Sequence, residues 1–393
     1  MTEPVALHEL DRVGTVRKLD GDQVAVLASS ALVELRMEGA GRWRLLPNGR
    51  VGVIHCGDID VQIRPKIGIS RLLFLLGYAA DPGFRPEDVD ATAEPDLWPA
   101  LAQSLARQVE RALRGGVLQG YLTVDDALPL VRGRIRIADQ LARRPAMLVP
   151  LEVRYDEYAA DIAENQILRT ALRRMTAVPR LDPPVRARLA HLDARLDGVR
   201  VLPHGIAAPA WRLTRLNARY APAIRLAEIV LRHQSAEPGS GDVTVAAFVV
   251  DMSKVFEDFV TTALRESLAP YPGHTDAQRT FYLDLLRRIP IRPDIVHIVN
   301  DRPTAVFDAK YKLEKPTSGY PTADAYQMLA YCTALALPAG WLVYAQGTSE
   351  PGQYRIRNTL IDIIRYPLDL AAHPRDILGQ VDALAAMATA TLT

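Results

Sequence analysis

The stretch RPDIVHIVNDRPTAVFDAKYK, residues 292–312, predicts two apolar strands joined by a tight turn, and each strand carries one acidic residue. Side chains alternate between the two faces of a strand, so Asp308 and Lys310 share one face of the second strand. Antiparallel pairing then places Asp294 beside Asp308, with Lys310 one step along. Because a buried carboxylate is costly to desolvate unless it is paired or bound to a metal ion, the stretch indicates a functional site.

Two carboxylates and an amine on one hairpin fit the needs of a Mg²⁺-dependent site that cleaves phosphodiesters. Asp294 and Asp308 are the predicted metal ligands, and Mn²⁺ is a candidate substitute for Mg²⁺. Lys310 is predicted to orient the attacking water or to stabilise charge on the phosphate. The chain contains 41 arginines and only six lysines, so a lysine at this position indicates a need for a compact charge. The alternative interpretation is an ordinary cross-strand ion pair at a strand end.

Two flanking segments add candidate site residues. The run VVDMSKVFEDFV, residues 249–260, predicts a strand end followed by a helix. Glu257 on this helix is a candidate third metal ligand or a contact to a ligand water, but a surface acid near a helix N-terminus is an equal alternative. Downstream, Gln327 and Tyr331 share one face of a predicted helix, where they are candidates for holding a phosphate or a metal-bound water. Their alternative role is ordinary helix packing.

Taken in order, these segments resemble the PD-(D/E)xK nuclease superfamily, and within it the McrC family, the nuclease subunits of McrBC modification-dependent restriction systems. The shared features are a helix with Glu, then Pro-Asp, Asp-x-Lys and Gln-x-x-x-Tyr, in DMSKVFEDFV, RPDIV, FDAKYK and DAYQMLAY. Three further segments resemble the same family: GVIHCGDIDVQIRPKIGISRLLFLLGYA, GRIRIADQL and YDEYAADIAENQILRTAL. The resemblance covers roughly residues 50–345.

The resemblance implies a catalytic set of six residues: Asp294, Asp308, Lys310, Glu257, Gln327 and Tyr331. It also implies a partner, a McrB-like AAA+ hexamer that hydrolyses GTP and recognises methylated double-stranded DNA. The N-terminal and middle regions are expected to enter this ring and stimulate hydrolysis, and the loops near residues 20–22 and 47–50 are candidate contacts. Dimerisation of the nuclease domains is a candidate route to double-strand cleavage.

Composition excludes several other classes of protein. The 393 residues are 49% hydrophobic and 24% charged, which is ordinary for a globular protein. We expect no membrane span and no signal peptide. The two cysteines, Cys56 and Cys332, disfavour structural zinc and disulfides and favour a reducing cytoplasm. The sequence contains no GxxxxGK(S/T) motif, so this chain is not expected to bind nucleotide itself. It also contains no HExxH motif of zinc proteases and no GxSxG motif of serine hydrolases.

Positive charge is concentrated in the middle of the chain. The net charge is only +1, yet residues 101–250 contain 22 arginines and no lysine against 15 acidic residues. This region is a candidate for following a DNA backbone, and Arg132, Arg134 and Arg136 are predicted to alternate on one strand. In the alternative interpretation the arginines pair with the abundant acidic residues.

We predict an α+β multidomain fold with three regions. Residues 1–90 form a β-rich, barrel-like partner-binding domain, residues 91–241 a mainly helical, Arg-rich region, and residues 242–393 a PD-(D/E)xK nuclease domain with a mixed sheet flanked by helices. Strands are expected at residues 24–27 and 354–362, helices at 69–80, 97–113 and 374–390, and a linker at 237–241.

The favoured hypothesis is a Mg²⁺-dependent endodeoxyribonuclease subunit that cuts modified foreign DNA when a GTP-hydrolysing motor engages it. One alternative is a non-catalytic adaptor that activates the motor. The other is a stand-alone DNA repair nuclease.

Overall fold

The computed structural model describes residues 5–82, 84, 97–178, 181–235, 245–311, 322–345 and 351–390. The predicted linker at 237–241 and two of the six lysines, Lys312 and Lys315, lie outside the described residues.

The described residues form a mixed α+β structure. Its strands are β1 (Val5–His8), β2 (Thr15–Lys18), β3 (Val33–Gly39), β4 (Arg42–Pro47), β5 (Arg50–Cys56), β6 (Ile59–Arg64), β7 (Gly120–Leu128), β8 (Arg134–Ile135), β9 (Leu151–Ala159), β10 (Gln234–Ser235), β11 (Val245–Asp251), β12 (His274–Ala277), β13 (Phe281–Tyr282), β14 (Pro290–Ile291), β15 (Ile295–Val299), β16 (Arg302–Lys310), β17 (Ala339–Tyr344), β18 (Gly352–Arg355) and β19 (Asp362–Pro367). Its helices are α1 (Gly21–Ser30), α2 (Ile69–Ala80), α3 (Leu97–Leu113), α4 (Ile137–Arg143), α5 (Ala163–Thr176), α6 (Pro183–Ala194), α7 (Ala221–His233), α8 (Met252–Leu268), α9 (Thr322–Leu335) and α10 (Pro374–Ala390).

The chain forms two compact units. The first contains residues 1–100 together with residues 235–393, and the second contains residues 101–234. The first unit therefore combines strands from both ends of the sequence, and the residues of the second unit lie between these two parts in the sequence.

The N-terminal strands do not close into the predicted barrel. Among the described residues they form an open three-stranded sheet, β2-β4-β3, and part of a five-stranded sheet, β1-β6-β5-β11-β10. The edge of β5 is taken by β11, which arrives from residue 245 onwards and pairs along the whole of β5. At their contact a Cβ on Gly52 would lie 1.9 Å from the carbonyl oxygen of Phe248, so only glycine permits this approach.

Residues 24–27, predicted as a strand, belong to helix α1. The helix begins with a capping box, in which Asp20 accepts a hydrogen bond from the backbone N–H of Gln23 at 2.8 Å and Gln23 accepts one from the N–H of Asp20 at 3.1 Å. This cap satisfies two backbone donors that a strand would have to pair elsewhere, and the short apolar run is compatible with either structure.

A six-stranded mixed sheet forms the other half of the first unit. Its order is β12-β15-β16-β17-β19-β18, with β16, β17 and β19 parallel and the other pairs antiparallel. Helix α8 packs against β16 and β12, and α9 packs against β16, β17 and β19. The single strand predicted at residues 354–362 is wrong: β18 and β19 are separated by a turn in which Asn358 has φ +60°.

The second unit joins α5, α6 and α7 to the small sheet β7-β9-β8. Arg132, Arg134 and Arg136 do not alternate on one strand, because β8 contains only Arg134 and Ile135 and Arg136 is the N-cap of α4. Arg136 lies 3.3 Å from Asp125, and the Arg132 guanidinium lies over the ring of Tyr155.

Four further arginines of this region also have partners. Nε of Arg144 lies 3.1 Å from Oε1 of Glu152, and Nη1 of Arg143 lies 3.7 Å from Oε2 of the same residue. Nε of Arg173 lies 3.1 Å from Oδ2 of Asp193. Arg174 donates to the carbonyl oxygen of Leu231. These contacts favour the interpretation in which the arginines of this region pair with other residues of the chain over the one in which they follow a DNA backbone. Within the described residues, no helix combines the length and apolar character needed to cross a membrane.

Candidate active site

The candidate site lies where β15 begins and β16 ends. Ile295 pairs with Phe307, and the register extended by one residue sets Asp294 opposite Asp308. Asp294 lies immediately before β15, and its Oδ2 accepts a hydrogen bond of 2.8 Å from the backbone N–H of Ala309. The two strands are joined by Asn300 and Asp301, both with positive φ, as in a two-residue type I′ hairpin. The pairing expected from the alternation of side chains is therefore present.

Asp308 is the buried carboxylate of the site, with 2% of its surface exposed. Its Oδ2 lies 2.5 Å from Nζ of Lys310 but accepts no well-aligned hydrogen bond from the described residues. Burial raises the pKa of Asp308 to about 6, and the charge of Asp294 adds to this rise while Lys310 opposes it. The site thus has a buried anionic oxygen with unused capacity to accept a ligand.

Lys310 is positioned from helix α9. Its Nζ donates to Oε1 of Gln327 at 2.9 Å, and Nε2 of Gln327 donates to the hydroxyl of Tyr331 at 2.6 Å. The Tyr331 hydroxyl in turn donates to the carbonyl oxygen of Arg292 at 3.2 Å. Burial, with the nearby charge of Asp308, raises the pKa of Tyr331 to about 12, so the hydroxyl remains protonated. The predicted helix pair Gln327 and Tyr331 therefore reaches Lys310 through a continuous chain of hydrogen bonds.

Glu257 approaches the site from helix α8. Asp251 caps this helix by accepting hydrogen bonds from the backbone N–H groups of Ser253 and Lys254. Glu257 lies 3.1 Å from Nζ of Lys254 and is about a quarter exposed. Burial and the charge of Asp294 raise its pKa, which places the two carboxylates in one electrostatic environment.

Gln278 joins Glu257 to Asp294, and the sequence did not single it out. Its Nε2 lies 2.7 Å from Oε1 of Glu257 and 2.7 Å from Oδ1 of Asp294. Its backbone N–H donates to the carbonyl oxygen of Asp294 at 2.9 Å, and its own carbonyl accepts from Nε of Arg292 at 2.7 Å. Gln278 has φ +53°, an uncommon conformation for glutamine. No local pattern marks this residue, because its role depends on two segments distant in sequence.

The donor set fits a magnesium ion held by two carboxylates. Mg²⁺ commonly binds one or two carboxylates and keeps several waters, and Asp294 and Asp308 supply such a pair. Over the residues that the structure describes, no three His, Cys, Asp or Glu side chains converge to hold a metal ion. Glu257 meets the pair through Gln278, so its geometry supports a role in orienting Asp294 or a ligand water more directly than a role as a third ligand.

The fold and site together define a class: mixed α+β proteins in which a buried aspartate and a lysine on one strand of a helix-flanked sheet lie beside a second, partly buried aspartate. Residues 46–345 match the family model of the McrBC 5-methylcytosine restriction system component. The chain belongs to this family, which confirms the resemblance to McrBC systems found in the sequence. Among curated proteins, none matches the chain.

Two solved structures match the chain, and the first is similar in fold. One is a chain of a refined half-complex from the tetradecameric assembly of Thermococcus gammatolerans McrB AAA+ hexamers with bound McrC, with TM-score 0.61 and 16% identity, covering 98% of this chain and 100% of that chain. The other is from the cryo-EM structure of the Thermococcus gammatolerans McrBC complex, with TM-score 0.41 and 17% identity, covering 69% of this chain and 90% of that chain. At this level of identity the first match establishes a shared fold over nearly the whole chain.

Proposed function

We propose that this chain is a McrC-type subunit: a Mg²⁺-dependent DNA endonuclease that cleaves methylated foreign DNA in the cytoplasm when bound to a McrB-like AAA+ GTPase. Family membership supports the restriction-system role. The observation that carries the nuclease assignment is the arrangement of Asp294, Asp308 and Lys310 at the ends of β15 and β16. A buried ion pair placed only for stability would leave no reason for a second carboxylate beside Asp308, since its charge makes ionisation harder.

In this proposal Asp294 and Asp308 hold the metal ion, which when bound supplies Lewis-acid chemistry at the scissile phosphate. Lys310 presents Nζ to the attacking water or to a phosphate oxygen, where its positive charge stabilises the developing negative charge. Gln327 fixes the lysine by accepting its hydrogen bond, and Tyr331 fixes the orientation of the Gln327 amide. Glu257 and Gln278 hold the Asp294 carboxylate on its other side.

The partner assignment rests on the family and on the shared fold. In the Thermococcus gammatolerans assembly, McrC is bound to McrB AAA+ hexamers. This chain contains no GxxxxGK(S/T) motif, so we assign nucleotide hydrolysis to a partner of that kind and its stimulation to this chain. Contact with the ring is assigned to the N-terminal strands and to the second unit.

The test compares Asp308→Asn with wild type after each is purified with its McrB-like motor protein. Methylated and unmethylated plasmid are incubated with GTP and Mg²⁺, and both cleavage and GTP hydrolysis are measured. We expect Asp308→Asn to lose cleavage while still stimulating hydrolysis. The matched control is Asp301→Asn, in the exposed turn of the same hairpin, which should cleave as wild type does.

Two results would favour the alternatives. Equal cleavage by wild type and Asp308→Asn, with hydrolysis still stimulated, would support a non-catalytic adaptor. Efficient cleavage without the motor protein and without GTP would support a stand-alone nuclease.

A further inference from the structure

A small hairpin, residues 279–292, projects from the candidate active site. Its strands β13 and β14 pair with each other, and it connects the end of β12 to the start of β15, beside Asp294. At the base of the hairpin, the backbone N–H of Gln278 donates a hydrogen bond to the carbonyl oxygen of Asp294. Nε of Arg292 donates a second one to the carbonyl oxygen of Gln278. Both legs of the hairpin therefore begin at residues of the site.

The tip of this hairpin has a defined conformation. Asp284 Oδ1 accepts hydrogen bonds of 2.7 Å from the backbone N–H groups of both Arg288 and Ile289. The N–H of Leu283 donates to the carbonyl oxygen of Ile289 at 2.9 Å, and that of Arg287 donates to the Asp284 carbonyl at 3.1 Å. The backbone hydrogen bonds lower the pKa of Asp284, so they persist throughout the neutral pH range. Hydrogen bonds therefore fix the backbone conformation of the tip.

The tip of the hairpin presents apolar side chains to solvent. Leu285 is fully exposed, Leu286 is 69% exposed and Ile289 is 51% exposed. Single exposed leucines are common, but adjacent ones on a tip whose backbone is fixed by hydrogen bonds to Asp284 indicate contact with another molecule.

The hairpin is also strongly basic. It carries four arginines, Arg279, Arg287, Arg288 and Arg292, against the single acid Asp284. Arg279 and Arg288 contact Asp276 and Asp284, yet these arginines are 51% and 74% exposed. Ion pairs at such exposure contribute little and exchange readily for another anion.

We propose that this hairpin is a DNA-binding arm that grips the duplex next to the scissile phosphate, with its arginines on backbone phosphates and Leu285 and Leu286 against the bases in a groove. This inference rests on the proposed nuclease function. Arginine neutralises phosphate charge, and apolar side chains of minor-groove binders act as wedges between base steps. A second copy of the chain is a poorer occupant, because a symmetric contact through this hairpin would bring like charges together.

DNA binding tests the arm separately from cleavage. A fluorescein-labelled duplex of about 30 base pairs is titrated with full-length protein in Ca²⁺, over a range of salt concentrations. The variants are Arg287→Glu with Arg288→Glu, and Leu285→Ser with Leu286→Ser. The matched controls are Arg357→Glu and Leu360→Ser in the exposed turn between β18 and β19. Thermal melting confirms that each variant is folded.

We expect the double arginine variant to bind DNA about tenfold or more weakly at low salt, with the slope of log affinity against log salt reduced by about two. With 2-aminopurine placed near the cut site, wild type should raise its fluorescence by unstacking the base, and the double leucine variant should not. Both controls should match wild type in both measurements.

Three outcomes would contradict the proposal that the hairpin is a DNA-binding arm. The first is hairpin variants that match the Arg357 and Leu360 controls while wild type binds DNA. The second is a leucine variant that changes the oligomeric state with DNA binding intact, which would assign the tip to a contact between copies. The third is wild type that binds no DNA even when the McrB-like motor protein is added, which would also remove the nuclease proposal. If the hairpin variants match the controls and Asp308→Asn still abolishes cleavage, the arm alone is wrong.

Discussion

The hydroxyl of Tyr311 donates a hydrogen bond of 3.2 Å to Oε2 of Glu9, a residue near the opposite end of the chain. The same Glu9 oxygen accepts the backbone N–H of Lys66 at 2.9 Å, and the Lys66 ammonium lies 3.9 Å from the centre of the Tyr311 ring. Lys66 also donates to the carbonyl oxygen of Ala345 at 3.2 Å. Because Tyr311 directly follows Lys310, the strand that carries the lysine is bound to the N-terminal strands of the same unit.

Tyr311→Phe tests this connection. The variant keeps the ring under Lys66 and removes only the hydrogen bond to Glu9, so we expect a loss of about 1 kcal/mol in the free energy of unfolding. A thermal melt should show a decrease of about 2 °C. Tyr326→Phe, on an exposed part of α9, is the control and should melt as wild type does. An unchanged melt for Tyr311→Phe would show that the hydroxyl contributes nothing to stability.

Asp308 makes the stability of the metal-free protein depend on pH. Its pKa in the folded protein is about 6, above the ordinary value of 3.8, so the folded state binds more protons than the unfolded state between these values. Its contribution is therefore fully present below pH 4 and is lost as the pH rises through 6. The pKa difference corresponds to at most about 3 kcal/mol.

The variant Asp308→Asn should accordingly be more stable than wild type at pH 8 in EDTA, by about 1–3 kcal/mol in denaturant unfolding. The difference should shrink towards pH 4, where wild type is itself neutral at this position. Added Mg²⁺ should stabilise wild type and not the variant. Destabilisation of Asp308→Asn at pH 8 in EDTA would mean that the pairing with Lys310 outweighs the burial of charge.

Gln278 is expected to position the carboxylates without touching substrate. Gln278→Asn tolerates the positive φ but is too short to bridge Glu257 and Asp294, so we expect the Mg²⁺ needed for half-maximal cleavage to rise about 10- to 100-fold. Gln278→Ala should show the same change with an additional loss of stability from the backbone conformation. If both variants keep the wild-type Mg²⁺ dependence, the bridge is only structural.

Lys310, Gln327 and Tyr331 are expected to act as one unit. Gln327→Ala and Tyr331→Phe should each slow cleavage by about tenfold by releasing the lysine, and the double variant should be little worse than either single variant. A double-mutant cycle on the cleavage rate measures this coupling. Fully additive effects would show that Tyr331 does not act through Gln327.

The sequence predicted the elements whose pattern is local. Helices 69–80, 97–113 and 374–390 coincide with α2, α3 and α10, because each has a long apolar period that burial reinforces. The β15–β16 pairing followed from the alternation of side chains and a tight turn at residues 300–303, of which Arg302 and Pro303 belong to β16 in the structure. The run at 24–27 was too short to separate strand from helix, and the capping box at Asp20 decided it.

The remaining features depend on contacts between distant segments. Nothing in the periodicity of residues 245–251 indicates that they pair with residues 50–56 and so leave the N-terminal sheet open. The bridge through Gln278 likewise requires α8, β12 and β15 to be in place at once. A sequence pattern reveals which residues are suited to the site, and the tertiary fold determines which of them meet.

The pairing of β11 with β5 has a consequence for how the protein behaves when its backbone is broken. Seven cross-strand pairs, from Val245 with Cys56 to Asp251 with Arg50, hold the C-terminal segment to the N-terminal one. A single protease nick ahead of Val245 would therefore leave two polypeptides that stay together as a noncovalent complex. Expressed apart, each would present a bare sheet edge prone to aggregation. The chain is in this sense suited to production as two fragments, which are expected to reassemble when they are produced in the same cell.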